Sequence, residues 1–193
     1  MRASGHRQLW HLPVIALAAA LGTRPCPALA QAVPPAIAEP PQAASRGSGL
    51  PVPRFVSLKS DRVNLRQGPG TDYPATWVFR RAGLPVEVIQ EFETWRKVRD
   101  AEGTTGWVLG SLLSGRRTAV VLPWEIKPGV PLPQAVIRAG RSERAGAVAS
   151  VEAGVIASLA SCDGSWCRVT VGDFSGYLEQ KSLWGVYENE TIR

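Results

Sequence analysis

The sequence predicts an all-β protein built from two small barrels in tandem. Three observations predict it. A set of motifs occurs twice: Val63-Asn64-Leu65-Arg66, Thr94-Trp95-Arg96-Lys97-Val98 and Thr105-Gly106-Trp107-Val108 are answered by Ala135-Val136-Ile137-Arg138, Ser165-Trp166-Cys167-Arg168-Val169 and Ser175-Gly176-Tyr177-Leu178. Arg66 and Arg138 are 72 apart, Trp95 and Trp166 are 71 apart, and Trp107 and Tyr177 are 70 apart, so one unit was duplicated and single-residue slips fell in loops. Short β-branched and aromatic runs, punctuated by Gly, Pro and Asp, fill each copy, and helical periodicity is absent beyond one turn near Ser111-Leu112-Leu113.

Residues 1–30 read as a cleavable export signal. Arg2 and Arg7 supply the positive start, and Leu12 to Leu21 the apolar run. Ala28-Leu29-Ala30 gives the small-x-small pattern, which places cleavage before Gln31; Ala30-Gln31-Ala32 is a second site. The apolar run is about half the ~20 residues that span a bilayer, so no integral membrane segment is expected after cleavage. Arg24 and Pro25 before Cys26 argue against a lipidated cysteine. The expected location is the periplasm or the medium.

Loss of the signal changes the available chemistry. His6 and His11, the chain's two histidines, leave with it. Arg2, Arg7 and Arg24 leave too and no acid does, so the net charge of +6 falls to +3. The basic residues that remain are dispersed, with pairs at Arg80-Arg81 and Arg116-Arg117 but no longer block, which does not describe a nucleic-acid binder.

Residues 31–53 carry six prolines among Ala, Ser and Gly and are expected to form a disordered linker. The first barrel is placed at 54–122. Phe55 to Leu58 opens it; Val63 to Arg66 ends at the turn Gln67-Gly68-Pro69-Gly70; Val86 to Phe92 and Trp95 to Arg99 make a hairpin; Thr105 to Leu109 follows; and Arg117 to Leu122 closes the set. The Pro- and Gly-rich stretch 123–133 reads as the link between copies, 134–187 as the second barrel, and 188–193 as a tail. Units of this size are marginally stable alone, because a ~60-residue domain buries only ~60% of the surface of its unfolded chain.

Cys162 and Cys167 flank the tip of the second hairpin. Two cysteines in an exported chain usually pair, and closing a six-residue loop is worth about 2 kcal/mol. The same two places in the first copy hold Glu91 and Arg96, so a disulfide is predicted to replace a salt bridge worth roughly 0.2–1 kcal/mol. The C-x4-C spacing and the missing third ligand weigh against a metal or redox pair.

These motifs resemble bacterial Src-homology-3-like domains. Val63-Asn64-Leu65-Arg66-Gln67-Gly68-Pro69-Gly70-Thr71-Asp72-Tyr73-Pro74 is similar to the opening of such a domain, and the Trp95 and Gly106-Trp107 strands to its later part. The resemblance covers roughly residues 55–187. The second copy has Ala139-Gly140-Arg141-Ser142 in place of the Gly-Pro-Gly turn. The resemblance implies two SH3-like barrels of a kind that accompanies cell-wall hydrolases, some of which are thought to bind the peptide part of peptidoglycan.

Catalysis is not expected. The hydrolases that carry this module need a Cys with a His base, or His ligands for zinc, and the exported chain has no His. No cofactor or metal is expected either. The expected function is a non-catalytic module that binds cell-wall peptide; the alternative is a scaffold that binds another envelope protein through Trp124 and Trp184. Ligand-binding candidates are Arg66, Tyr73, Trp77, Trp95 and Trp166, because aromatic rings combine apolar area with a polar edge and guanidinium groups grip carboxylates. Arg66 and Arg138 equally suit a role in holding the first loop through backbone carbonyls. Trp107 and Tyr177 suit the core.

Overall fold

The computed structural model describes residues 47–193. The expected export signal, and residues 31–46 of the expected linker, lie outside the described residues. The described chain holds fifteen strands and three single 3-10 turns. The first seven strands are β1 (Arg54–Leu58), β2 (Val63–Arg66), β3 (Ala75–Phe79), β4 (Pro85–Phe92), β5 (Trp95–Arg99), β6 (Thr105–Leu109) and β7 (Leu113–Ser114). They form one antiparallel sheet in the order β3-β2-β6-β5-β4-β1-β7. The next are β8 (Thr118–Val121), β9 (Gln134–Arg138), β10 (Ala147–Glu152), β11 (Ile156–Asp163), β12 (Trp166–Val171), β13 (Phe174–Glu179) and β14 (Leu183–Trp184). Their order, β10-β9-β13-β12-β11-β8-β14, is the first order with seven added to every strand. The duplication read from the motifs is therefore a duplication of the whole sheet.

Each sheet curls around its own core. Val56, Leu58, Val63, Leu65, Phe79, Val86, Val88, Val98 and Val108 fill the first. Ala119, Val121, Ile137, Val151, Ala157, Val169, Leu178 and Leu183 fill the second, with Cys162 and Cys167 among them. The alternation of the strands sets this: Val63 and Leu65 of β2 are buried and Asn64 between them is exposed. The Gly of the Thr-Gly-Trp motif is a packing requirement. A Cβ on Gly106 would meet Leu65 Cγ at 2.5 Å and Arg66 O at 2.9 Å, and one on Gly176 would meet Ile137 Cγ2 and Arg138 O at 2.5 Å. The glycine lets β6 and β13 cross close over β2 and β9.

The boundary between the copies differs from the sequence reading. Arg117 to Leu122 does not close the first barrel. β8 pairs with β11 and β14 and opens the second, while β7 closes the first against β1. The stretch 123–133 is thus a loop inside the second barrel, and residues 115–117 make the connection. The reason is a change of loop length. Leu58 and Val121 hold matching places in their sheets but are 63 apart, not 72, because thirteen residues (122–134) separate Val121 from Ala135 where four (59–62) separate Leu58 from Val63. The constant offset hides the strand that lies before that insertion.

Both ends of the described chain are also tied down. The tail expected at 188–193 carries β15 (Thr191–Ile192), which pairs with Cys162 and Asp163 of β11. The last part of the expected disordered linker docks as well: Ser48 donates to Glu91 from its backbone N (2.6 Å) and its hydroxyl (2.7 Å).

Candidate functional site

The hairpin tips show the predicted exchange. Glu91 faces Arg96 across β4 and β5, and Arg96 Nε lies 2.9 Å from Glu91 Oε1. In the second barrel the facing residues are Cys162 and Cys167, joined by a disulfide with Cα atoms 4.1 Å apart. Glu91 also receives Arg54 Nη2 at 2.6 Å. Burial works to raise the pKa of Glu91, but the hydrogen bonds from Arg54 and Ser48 and the charge of Arg96 outweigh it and hold it at about 2.

The barrels are held against each other by a mixed ring and ion contact. Phe55 of β1 is buried with its ring centroid 5.1 Å from Trp184, edge-on, and 4.7 Å from Tyr187. Tyr187 donates its hydroxyl hydrogen to Glu87 Oε1 at 3.0 Å, and Glu87, buried on β4, accepts from Arg99 Nε at 2.9 Å. Burial first, and then the bond to Glu87, push the Tyr187 hydroxyl pKa well above its usual range, so it stays a donor. Two backbone carbonyls complete the contact: Thr118 Oγ1 donates to Gly83 O (2.8 Å) and Arg81 Nη1 to Gly154 O (3.0 Å).

Beside this contact runs a groove of about 480 Å³ with one wall from each barrel. The first barrel contributes Trp77 and Phe79 of β3, the turn Arg80 to Leu84, and the turn at Asp100 and Glu102. The second contributes Val120, Pro123 and Ile126 of the long loop, Gly154 and Trp184. Trp77 is 56% exposed, and Trp124 and Ile126 on the loop are exposed too. Arg80, Arg81, Asp100 and Glu102 put two charges of each sign along the groove. The Asp100 carboxylate is occupied with its own turn, accepting from Glu102 N at 3.0 Å and Thr104 N at 2.8 Å.

The candidate residues separate into three places. Arg66 Nη1 donates to Thr71 O (3.0 Å) and Tyr73 O (2.6 Å), and Arg138 Nη1 to Ala145 O (3.0 Å), so both arginines hold the first loop of their barrel. Tyr73, exposed, lays its ring over Gly68, where a Cβ would come within 2.5 Å of it. Trp77 lies in the groove. Trp95 and Trp166 are half-buried at the two hairpin tips. Trp107 is a core residue. Arg66 and Tyr73 meet; Trp77 shares its groove with Trp184, which the sequence offered as a contact for another envelope protein. Phe79, Leu84, Ile126 and Gly154 were missed, and the length and apolar content of the loop 122–133 were the signal for the second wall. Among the described residues, no group of three or more His, Cys, Asp and Glu is placed to hold a metal ion, and no helix is long and apolar enough to cross a membrane.

No curated protein matches the chain. Solved structures similar to it include NlpC1 from Trichomonas vaginalis (16% identity, 72% of this chain, 48% of that chain, TM-score 0.30). NlpC2 from the same organism (14%, 68% and 48%, TM-score 0.30) is another. A NlpC/P60 family protein from Bacillus cereus (15%, 72% and 58%, TM-score 0.29) is a third. The chain spans about half the length of these proteins, and likeness at that level says nothing of chemistry. The bacterial SH3 domain family matches residues 59–115 and 132–185. With that match over more than half its length, and one sheet order repeated twice, the chain belongs to the bacterial SH3 domain family.

Proposed function

We propose that this protein is a non-catalytic, exported binding module that holds the peptide part of peptidoglycan in the groove between its barrels. The observation that carries the reading is Trp77, 56% exposed at the edge of a groove whose opposite wall is the extended loop of the second barrel. An aromatic ring left in water beside apolar walls is a ready contact for a ligand. Two of the groove's charges, Arg80 and Glu102, suit a short peptide that ends in both a carboxylate and an amine. Family membership and the loss of both histidines with the signal support a role without catalysis.

The test is co-sedimentation of residues 31–193 with insoluble peptidoglycan. The parent protein is expected to pellet, and Trp77→Ala to bind at least tenfold more weakly at unchanged fold. Equal binding by Trp77→Ala contradicts the groove. Failure of the folded parent to pellet favours the second reading, a scaffold for an envelope protein, for which the exposed Trp124, Val130 and Leu132 of the long loop offer apolar contact area.

A further inference from the structure

The covalent link between the barrels is Gly115, Arg116 and Arg117, which lie between β7 and β8. Gly115 and Arg116 are exposed, and a Cβ on Gly115 would meet nothing within 4 Å. Such a link does not fix an angle, and domains joined in this way move unless an interface holds them. Two bonds to backbone carbonyls, from Thr118 and Arg81, cross between the barrels. Trp184 and the tail after it supply the packing.

Gly185 turns the tail out of the second sheet. Its φ is 128°, and a Cβ there would run into Thr118 O, so glycine lets the chain pass over the start of β8. Tyr187 then lies on Phe55 of the first barrel and donates to Glu87 Oε1. Three anchors on the second barrel keep it there. Gln180, buried, donates from Nε2 to Tyr187 O (2.7 Å) and Glu190 O (3.1 Å). The Glu190 carboxylate accepts from Tyr187 N (2.9 Å) and from both Nη atoms of Arg117. β15 pairs with β11. Arg117 in turn donates to Gly185 O at 2.9 Å and stands 6.0 Å over the Phe55 ring. Phe55 is therefore gripped by Trp184, Tyr187 and Arg117, and Glu190 holds the last two in place. Trp184 is also part of the groove wall. The first barrel has no counterpart: β7 leads directly into the link, and Ser114 stands where Trp184 stands.

We propose that residues 185–192 are a strap that sets the angle between the barrels, with Tyr187 and Glu190 as its positioning residues, and that the groove takes a ligand only while the strap is docked. The second half of the proposal rests on the groove reading above; the first half does not. With the strap undocked the barrels hinge about 115–117, and the walls that carry Trp77 and Ile126 part.

The first measurement needs no ligand. 15N relaxation of residues 31–193 reads the tumbling time of each barrel separately, and the parent is expected to give one common time. Tyr187→Ala, and more strongly its combination with Glu190→Ala, is expected to give shorter and unequal times for the two barrels. Amide dispersion should be retained, because neither residue belongs to a barrel core. Glu190→Ala alone, which leaves the Tyr187 ring in the chain, should shift the times in the same direction. Unequal times in the parent, or one common time in the double variant, would overturn the strap. Calorimetric titration of soluble peptidoglycan fragments then reads the groove, where Tyr187→Ala should bind at least fivefold more weakly. Undocked barrels that bind as tightly as the parent would overturn the tie between strap and groove. A folded parent that binds no fragment contradicts the groove reading alone, and the tumbling times still decide the strap.

Discussion

At the tip of the first barrel Glu91 gathers Arg96, Arg54 and Ser48 into an ionic clasp. At the same place in the second barrel a disulfide joins Cys162 and Cys167. The change reaches further than two residues. Arg54 and Arg117 hold matching places at the start of their barrels, and Arg117 would lose its acid with the exchange. It pairs instead with Glu190 of the tail, through Nη1 at 2.8 Å and Nη2 at 3.0 Å. Burial works to raise the pKa of Glu190, and the Arg117 hydrogen bond outweighs it. The cores differ in the same direction. Val56 faces Val86 in the first barrel, where Ala119 faces Ala157 in the second. Four fewer buried carbons amount to about 3 kcal/mol of lost burial, and a disulfide closing six residues restores about 2. One fold has been kept twice by different means: packing with charge in one copy, a covalent link with a docked tail in the other.

The largest expected effect on this comparison comes from Glu91→Gln. It leaves two guanidinium groups and Ser48 without their carboxylate and should cost about 2–3 kcal/mol. Hydrogen exchange should show the loss at β4 and β5 and leave β11 and β12 protected. Equal loss in both barrels would mean that the clasp serves the whole molecule. Reduction of Cys162–Cys167, or the double change to Ala, should cost about 2 kcal/mol and open β11, β12 and β15 instead.

Acid should act on the two tips unequally. The pKa of Glu91 is depressed from 4.5 to about 2, so its stabilisation is complete above 4.5 and drains away as the pH falls from 4.5 toward 2. Over that window the amides of Ser48 and the β4 tip should lose protection. In the second barrel Glu190 is depressed as well, and so is Asp163, to which Trp166 N and Ser165 N donate. Acid should therefore loosen the turn at 163–166 and β15 while the disulfide keeps the strands paired. Protection lost first along β11 and β12 would break the comparison. The smallest effect concerns the turn. Glu93 and Gly164 hold the same position with φ of 48° and 99°, a region that favours glycine. Glu93→Gly should raise stability by about 0.5–1 kcal/mol in a denaturant titration.

What could be read from the chain follows from how far apart its partners lie. Cys162 and Cys167, like Glu91 and Arg96, sit opposite each other across a short hairpin, so residue spacing alone exposes the pairing. The repeated Arg and Gly-Trp positions keep a near-constant offset, which shows the duplication. β8 escaped because the insertion that follows it shifts it by nine residues against the rest of its copy. The groove escaped for a stronger reason: Trp77, Leu84, Ile126, Gly154 and Trp184 belong to five separate segments, and the contacts between the barrels, Phe55 on Trp184 and Tyr187 with the bonds from Tyr187, Thr118 and Arg81, bring them together. Trp77 and Trp184 were legible as candidates, though for different roles, and Leu84, Ile126 and Gly154 were not.

The most direct measurement compares Trp77 in the groove with Trp95 at the first hairpin tip, using calorimetric titration of soluble peptidoglycan fragments into the parent, Trp77→Ala and Trp95→Ala. The groove account predicts at least tenfold weaker binding for Trp77→Ala and affinity within twofold of the parent for Trp95→Ala. Binding abolished by Trp95→Ala and untouched by Trp77→Ala would contradict it.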